Sequence, residues 1–118
     1  MRIHHLALRV GHCERAARFY SGLLGLEEIR RTVEQGTVRS IWLSAGDSVL
    51  MLELSLRGRG AAEGSGHVLV FEAEELGSWE RRLEGAGIPL ADRTDSTLYV
   101  SDPDGHRVGL TVFGRAVP

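Results

Sequence analysis

The stretch Ile3-His4-His5-Leu6-Ala7-Leu8-Arg9-Val10 alternates, with Leu6, Leu8 and Val10 on one side and His5, Ala7 and Arg9 on the other. A period of two marks a strand with one buried face, and the second face here is unusually polar. Between Glu14 and Leu24, Ala16, Ala17, Tyr20, Leu23 and Leu24 recur at helical spacing, and Gly25 is placed to end the helix. Strands are predicted at 26–33, 37–44 and 48–56, separated by the turn dipeptides Gln35-Gly36 and Gly46-Asp47. This half reads βαβββ.

The order then begins again. His67-Val68-Leu69-Val70-Phe71 alternates, residues 74–86 carry Leu76, Trp79 and Leu83 on one helical stripe, and Gly87 closes that helix. Strands are expected at 88–93, 96–101 and 106–113. His5 and Gly25-Leu26 match His67 and Gly87-Ile88 at an offset of 62 residues, and the offset falls to 57 for Trp42 and Tyr99 and to 56 for Glu53 and Gly109. Shorter loops in the second half account for the drift. Repeats of this length bury together what one copy cannot bury alone, so paired halves with a pseudo-twofold relation are expected. The fold class is therefore α+β. Module one spans about 1–56, a glycine-rich linker about 57–66 and module two about 67–114, all within one domain.

Composition supports this reading. The chain has 118 residues, enough for one compact domain with a real core. Hydrophobic residues at 42% and charged residues at 25% exclude a disordered tail or a coiled coil. A formal charge of −2, with bases and acids interspersed, argues against nucleic acid and membrane surfaces and for a small-molecule partner. The single cysteine, Cys13, forms no CxxC motif and no intrachain disulfide; it reads as an inert thiol in a cytoplasmic protein.

Several segments carry a likeness to a known family. They are His5-Leu-Ala-Leu-Arg-Val10, the helix exit Phe19-Tyr-Ser-Gly-Leu-Leu-Gly25-Leu26, Met51-Leu-Glu53-Leu54, Gly66-His67-Val68, and Ser101-Asp-Pro-Asp-Gly-His-Arg-Val-Gly109-Leu110. The Asp102-Pro103-Asp104-Gly105 turn is the sharpest of them, since Pro presets one turn position and Asp and Gly suit the later ones. Nearly the whole chain resembles the vicinal oxygen chelate superfamily, which includes glyoxalases, bleomycin-resistance proteins and extradiol dioxygenases. The resemblance implies two tandem βαβββ modules forming an open, curved, barrel-like sheet with helices outside. It also implies a divalent metal ion (Zn, Ni, Mn or Fe) held in the hollow, and a homodimer.

On that resemblance, His5, Glu53 and His67 occupy three of four ligand positions of glyoxalase I-like members, and the fourth, a glutamate there, is Gly109 here. Glycine supplies neither an oxygen ligand nor a general base, which disfavours standard glyoxalase I chemistry and leaves no catalytic residue assigned. Exchanging the halves maps His5 onto His67 and Glu53 onto Gly109, so His5, His67 and Glu53 would make a flipped facial set of two imidazoles and one carboxylate. Strand parity points the same way. Leu50, Leu52, Leu54 and Leu56 share one face and leave Glu53 on the other, and His5 and His67 each open a strand opposite an apolar stripe.

Arg9 and Arg107 are candidate anchors for an anionic substrate, and Trp42 and Tyr99 candidate aromatic walls. Each also has an ordinary reading: a salt bridge from Arg9 to Glu53, and core packing for the aromatic rings. Two functions are therefore expected to compete. One is a metal-dependent lyase, isomerase or dioxygenase acting on vicinal oxygens. The other is a metal-free small-molecule binding protein of the bleomycin-resistance kind.

Overall fold

A computed structural model describes residues 1–55 and 66–114. Residues 57–65 of the expected linker, and Leu56 of the expected leucine stripe, lie outside these. The described residues divide into two compact units, 1–55 with 103–105 and 66–102 with 106–114. Each unit is one four-stranded sheet with a helix, so the α+β class and the βαβββ repeat both hold.

In the first unit, β1 (Leu6–Val10) is followed by α1 (Cys13–Ala17), which runs on as a π-helical segment, Arg18–Leu23. Strands β2 (Glu27–Glu34), β3 (Thr37–Ala45) and β4 (Ser48–Leu54) form an antiparallel meander, and β1 returns parallel to β4, giving the order β1-β4-β3-β2. Cross-strand pairing puts Val10, Ile41, Leu43, Leu50 and Leu52 on one face, where they are buried. Over them packs α1, with Cys13, Ala16 and Ala17 buried, and Phe19 and Tyr20 are buried in the turn that continues it. His12 caps α1: its Nδ1 accepts from the Arg15 N–H at 3.2 Å, satisfying a donor at the helix start.

The Pro103–Gly105 tip of the aspartate-rich turn groups with this unit rather than with module two, where the sequence put it. The Asp104 carboxylate explains why. Its Oδ1 accepts from the Gly11 N–H at 2.7 Å and from Arg15 at 3.1 Å, with the Asp104 side chain only 2% exposed.

In the second unit, β5 (Val68–Glu72), α2 (Leu76–Gly85), β6 (Asp92–Arg93), β7 (Thr97–Ser101) and β8 (Arg107–Thr111) repeat the scheme in the order β5-β8-β7-β6. The predicted strand 88–93 shrinks to two residues. Leu98, Val100, Val108 and Leu110 form the buried face, with Leu83 of α2 buried as expected. Glu75 caps α2 through its carboxylate, which accepts from the Ser78 N–H at 2.8 Å; hydrogen bonding from the Ser78 hydroxyl, and then from this N–H, holds the carboxyl below its ordinary value.

Register corrects one step of the sequence argument. Val68, Val70, Arg107, Gly109, Tyr99 and Thr97 share a face, while Leu69, Phe71, Val108 and Leu110 share the other. The apolar pair that faces the core from β5 is thus Leu69 and Phe71, while Val68 and Val70 are each 47% exposed. His67 is exposed and stands one residue before β5; continued back to it, the alternation keeps step with Leu69 rather than with the Gly109 face. If Glu53 and Gly109 are equivalent, pairing makes Arg9 the counterpart of Val70, so the repeat is one residue shorter here than a match of histidines implies. A similar tetrapeptide had concealed a one-residue slip, which in a strand reverses every side chain.

Candidate functional site

The face of the first sheet opposite its core carries most of the candidate residues marked from sequence. Pairing places Ala7 and Arg9 of β1, Met51 and Glu53 of β4, Ser40, Trp42 and Ser44 of β3, and Arg30 and Thr32 of β2 on this one surface. Trp42 pairs directly with Met51 and Arg30 and is half-buried. Its Nε1–H donates to Ser40 Oγ at 3.1 Å, and Ser40 is in turn bonded to Thr32 Oγ1 at 2.7 Å. This chain of bonds fixes the tilt of a half-buried ring.

His5 packs against that ring. The two ring centroids are 4.9 Å apart at 52°, and the His5 Nδ1 lies 2.8 Å from the His4 Nδ1. Further along the face Arg9 and Glu53 are register partners, with Arg9 Nε 3.3 Å from Glu53 Oε2. The salt bridge expected from sequence therefore forms. Its side chains are 63% and 41% exposed, so it adds little to stability, and its consequence is to engage the one acid proposed as a metal ligand.

On the second sheet, the position matched to Glu53 is Gly109, and its missing side chain has a geometric reason. A Cβ there would lie 3.2 Å from Tyr99 Cε1, 3.3 Å from Val70 Cγ2 and 3.4 Å from Thr97 Cγ2. Tyr99 and its neighbours fill the room that a longer residue would need, as rings do over strand glycines. Beside them, Thr97 and Thr111 hydroxyls bond at 2.8 Å, and Thr111 also donates to the Ser96 carbonyl at 3.1 Å. Arg107 lies on this face too, exposed and paired in register with Val68 and Ser101.

The resemblance implies a divalent ion, which needs several donors brought together. Within neither unit do three or more His, Cys, Asp or Glu side chains of the described residues gather closely enough to hold an ion. In the first unit Arg9 takes up Glu53, and the rings beside His5 are His4 and Trp42. In the second, Gly109 offers no donor. As arranged, the donors of each unit do not fit a metal centre by themselves.

Cys13 is buried at 2% exposure, its Sγ 3.8 Å from the Leu52 carbonyl oxygen. Burial raises its thiol pKa, Glu14 and Asp104 add to the rise, and Arg31 opposes them. The fold thus favours the protonated thiol. That preference is complete below the unfolded thiol's titration and is lost as alkaline pH rises through the folded value. The folded chain should react with a thiol-disulfide reagent roughly a hundredfold more slowly than the urea-unfolded chain at pH 8. Equal rates in a stopped-flow comparison would contradict the burial.

Two tandem sheet-and-helix units with matching strand orders define a duplicated α+β fold with a chemically mixed sheet face. Residues 2–110 match the Glyoxalase/Bleomycin resistance protein/Dioxygenase superfamily, and the chain belongs to it. A lactoylglutathione lyase of Neisseria meningitidis serogroup A is 27% identical over 121 residues, covering 92% of this chain and 88% of that protein. The Bacillus subtilis protein MhqO, which carries the name of a ring-cleaving dioxygenase, is 29% identical over 126 residues, covering 98% of this chain but 40% of MhqO. Among solved structures, the fosfomycin resistance protein FosX of Mesorhizobium loti superposes with a TM-score of 0.79 at 19% identity, covering 94% of this chain and 90% of that one. That likeness is one of fold. No helix of the described residues is long and apolar enough to cross a membrane.

The sequence had marked His5, Arg9, Trp42 and Glu53, and these share the first sheet's face. Tyr99 and Arg107 share a face of the second sheet, while His67 stands just ahead of β5. Arg30, Thr32 and Ser40 went unmarked. The parity of Ser40 with Trp42 could be read within β3, whereas a bulge at Ile29 hides that of Arg30 and Thr32, because register shifts between Glu28 and Arg30.

Proposed function

We propose that this chain is a metal-independent binding protein for a small aromatic molecule bearing oxygen substituents, held on the first sheet's face against Trp42. The observation that carries the reading is the immobilised indole, fixed by Ser40 and Thr32, backed by His5 and placed beside the Arg9–Glu53 pair. A fixed ring offers stacking area at little entropic cost, and a guanidinium next to a carboxylate can donate to and accept from hydroxyls on the same ligand. Engagement of Glu53 by Arg9, and filling of the Gly109 site by Tyr99, support independence from a metal.

A second reading is favoured by two observations. His5 and Glu53 lie on the same face, and one relative is named as a lyase. In it, His5, Glu53 and His67 hold a divalent ion, which would supply Lewis-acid polarisation of vicinal oxygens. Catechol separates the readings. With Trp79→Phe leaving Trp42 as the sole tryptophan, catechol should quench its fluorescence saturably in chelator-treated protein, and added Mn2+ or Zn2+ should not tighten binding. Binding that requires the added ion and disappears in His67→Ala would establish the second reading instead.

A further inference from the structure

The charges on the Trp42 face are not equivalent. Arg9 is compensated by Glu53 at 3.3 Å. Arg31, the next residue on β2, points to the other face, where Glu14 and Glu28 both bond to it, raising its pKa and lowering that of Glu28. Arg30 differs from both. It is exposed, it is the direct cross-strand partner of Trp42, and its guanidinium forms no ion pair or hydrogen bond among the described residues. Cross-strand partners stand within about 5.5 Å at Cβ, so a group stacked on the indole lies within reach of that guanidinium. The other acid on this face, Glu27, pairs with Ser44, a further register step along.

An immobilised aromatic ring with an uncompensated cation at its edge selects for a ring carrying a negative charge. We infer that the ligand is a small aryl anion, its ring stacked on Trp42 and its carboxylate or similar group paired by Arg30. The inference rests on the binding reading given above and adds to it the sign of the ligand's charge and the residue that reads it. Neither Trp42 as a wall nor Arg9 as an anchor implies Arg30.

The test uses benzoate and its neutral isostere benzamide, titrated against the full chain carrying Trp79→Phe, with Trp42 fluorescence as readout. Benzoate should bind at least about tenfold more tightly than benzamide, the size of one charge-assisted hydrogen bond. Arg30→Gln should remove that gap by weakening benzoate alone, and Arg18→Gln, which takes the same charge from the exposed side of the helical segment, should preserve it. Benzoate and benzamide binding equally in the parent, or a gap that survives Arg30→Gln or is lost in Arg18→Gln, overturns the inference while leaving the binding reading intact. Failure of benzoate, benzamide and catechol alike overturns the binding reading, and this inference with it.

Discussion

Replacing Gly109 by glutamate, the residue that the resemblance to glyoxalase I-like members implies at this position, should destabilise the chain by about 3 kcal/mol. Two costs combine. The new Cβ meets the Tyr99 ring, Val70 and Thr97 at 3.2–3.4 Å, tighter than ordinary contact, on a strand whose residue 109 is buried. The longer side chain must then press past Tyr99 and the half-exposed Val70 to bring its carboxylate to water. Urea unfolding should show a lower midpoint at unchanged slope, and adding Tyr99→Ala should recover part of the loss, because it removes the nearest of the three contacts. A Gly109→Glu chain as stable as the parent would mean that Tyr99 does not occupy this space.

The second large effect is expected at Asp104. Its side chain is almost fully shielded and accepts from the Gly11 N–H and from Arg15. Asp104→Ala leaves a part-buried backbone donor without its partner and should cost about 2–3 kcal/mol. Asp104→Asn keeps an oxygen for the Gly11 N–H and should cost less than half of that. Arg15→Gln should be milder still, since Arg15 is 47% exposed. Equal losses for Ala and Asn at 104 would show that charge, rather than the Gly11 hydrogen bond, carries the effect.

How much of this was legible in the sequence depends on which signal is asked. Period-two and helical stripes, broken by Gly25, Gly36, Gly46 and Gly87, gave the element order, because all four glycines have positive φ, where other residues are strained. The Asp102–Gly105 turn was recognised as a turn, but its docking onto Gly11 was invisible, since hydrogen bonds between residues 93 apart leave no local pattern. Trp42 was marked by its match to Tyr99 across the repeat, and Arg9 and Glu53 followed from parity. His67 shows the limit of that method. Parity reads correctly only within a strand whose phase is known, and β5 packs Leu69 and Phe71 inward while Val68 and Val70, equally apolar, look outward. Two apolar faces on one strand give no period to read. Arg30 was missed for the related reason that a bulge shifts β2 by a residue.

That same bulge matters beyond the ligand. Strand β2 is the edge of its sheet and eight residues long, the kind of exposed rim on which a second chain can add a strand. Its register breaks twice, between Glu28 and Arg30 and between Thr32 and Val33, and its sequence carries Glu27, Glu28, Arg30, Arg31 and Glu34. An incoming strand would meet interrupted hydrogen-bonding spacing and a fence of charges, so despite the exposed Ile29 and Val33 this rim is poorly suited to seed polymerisation.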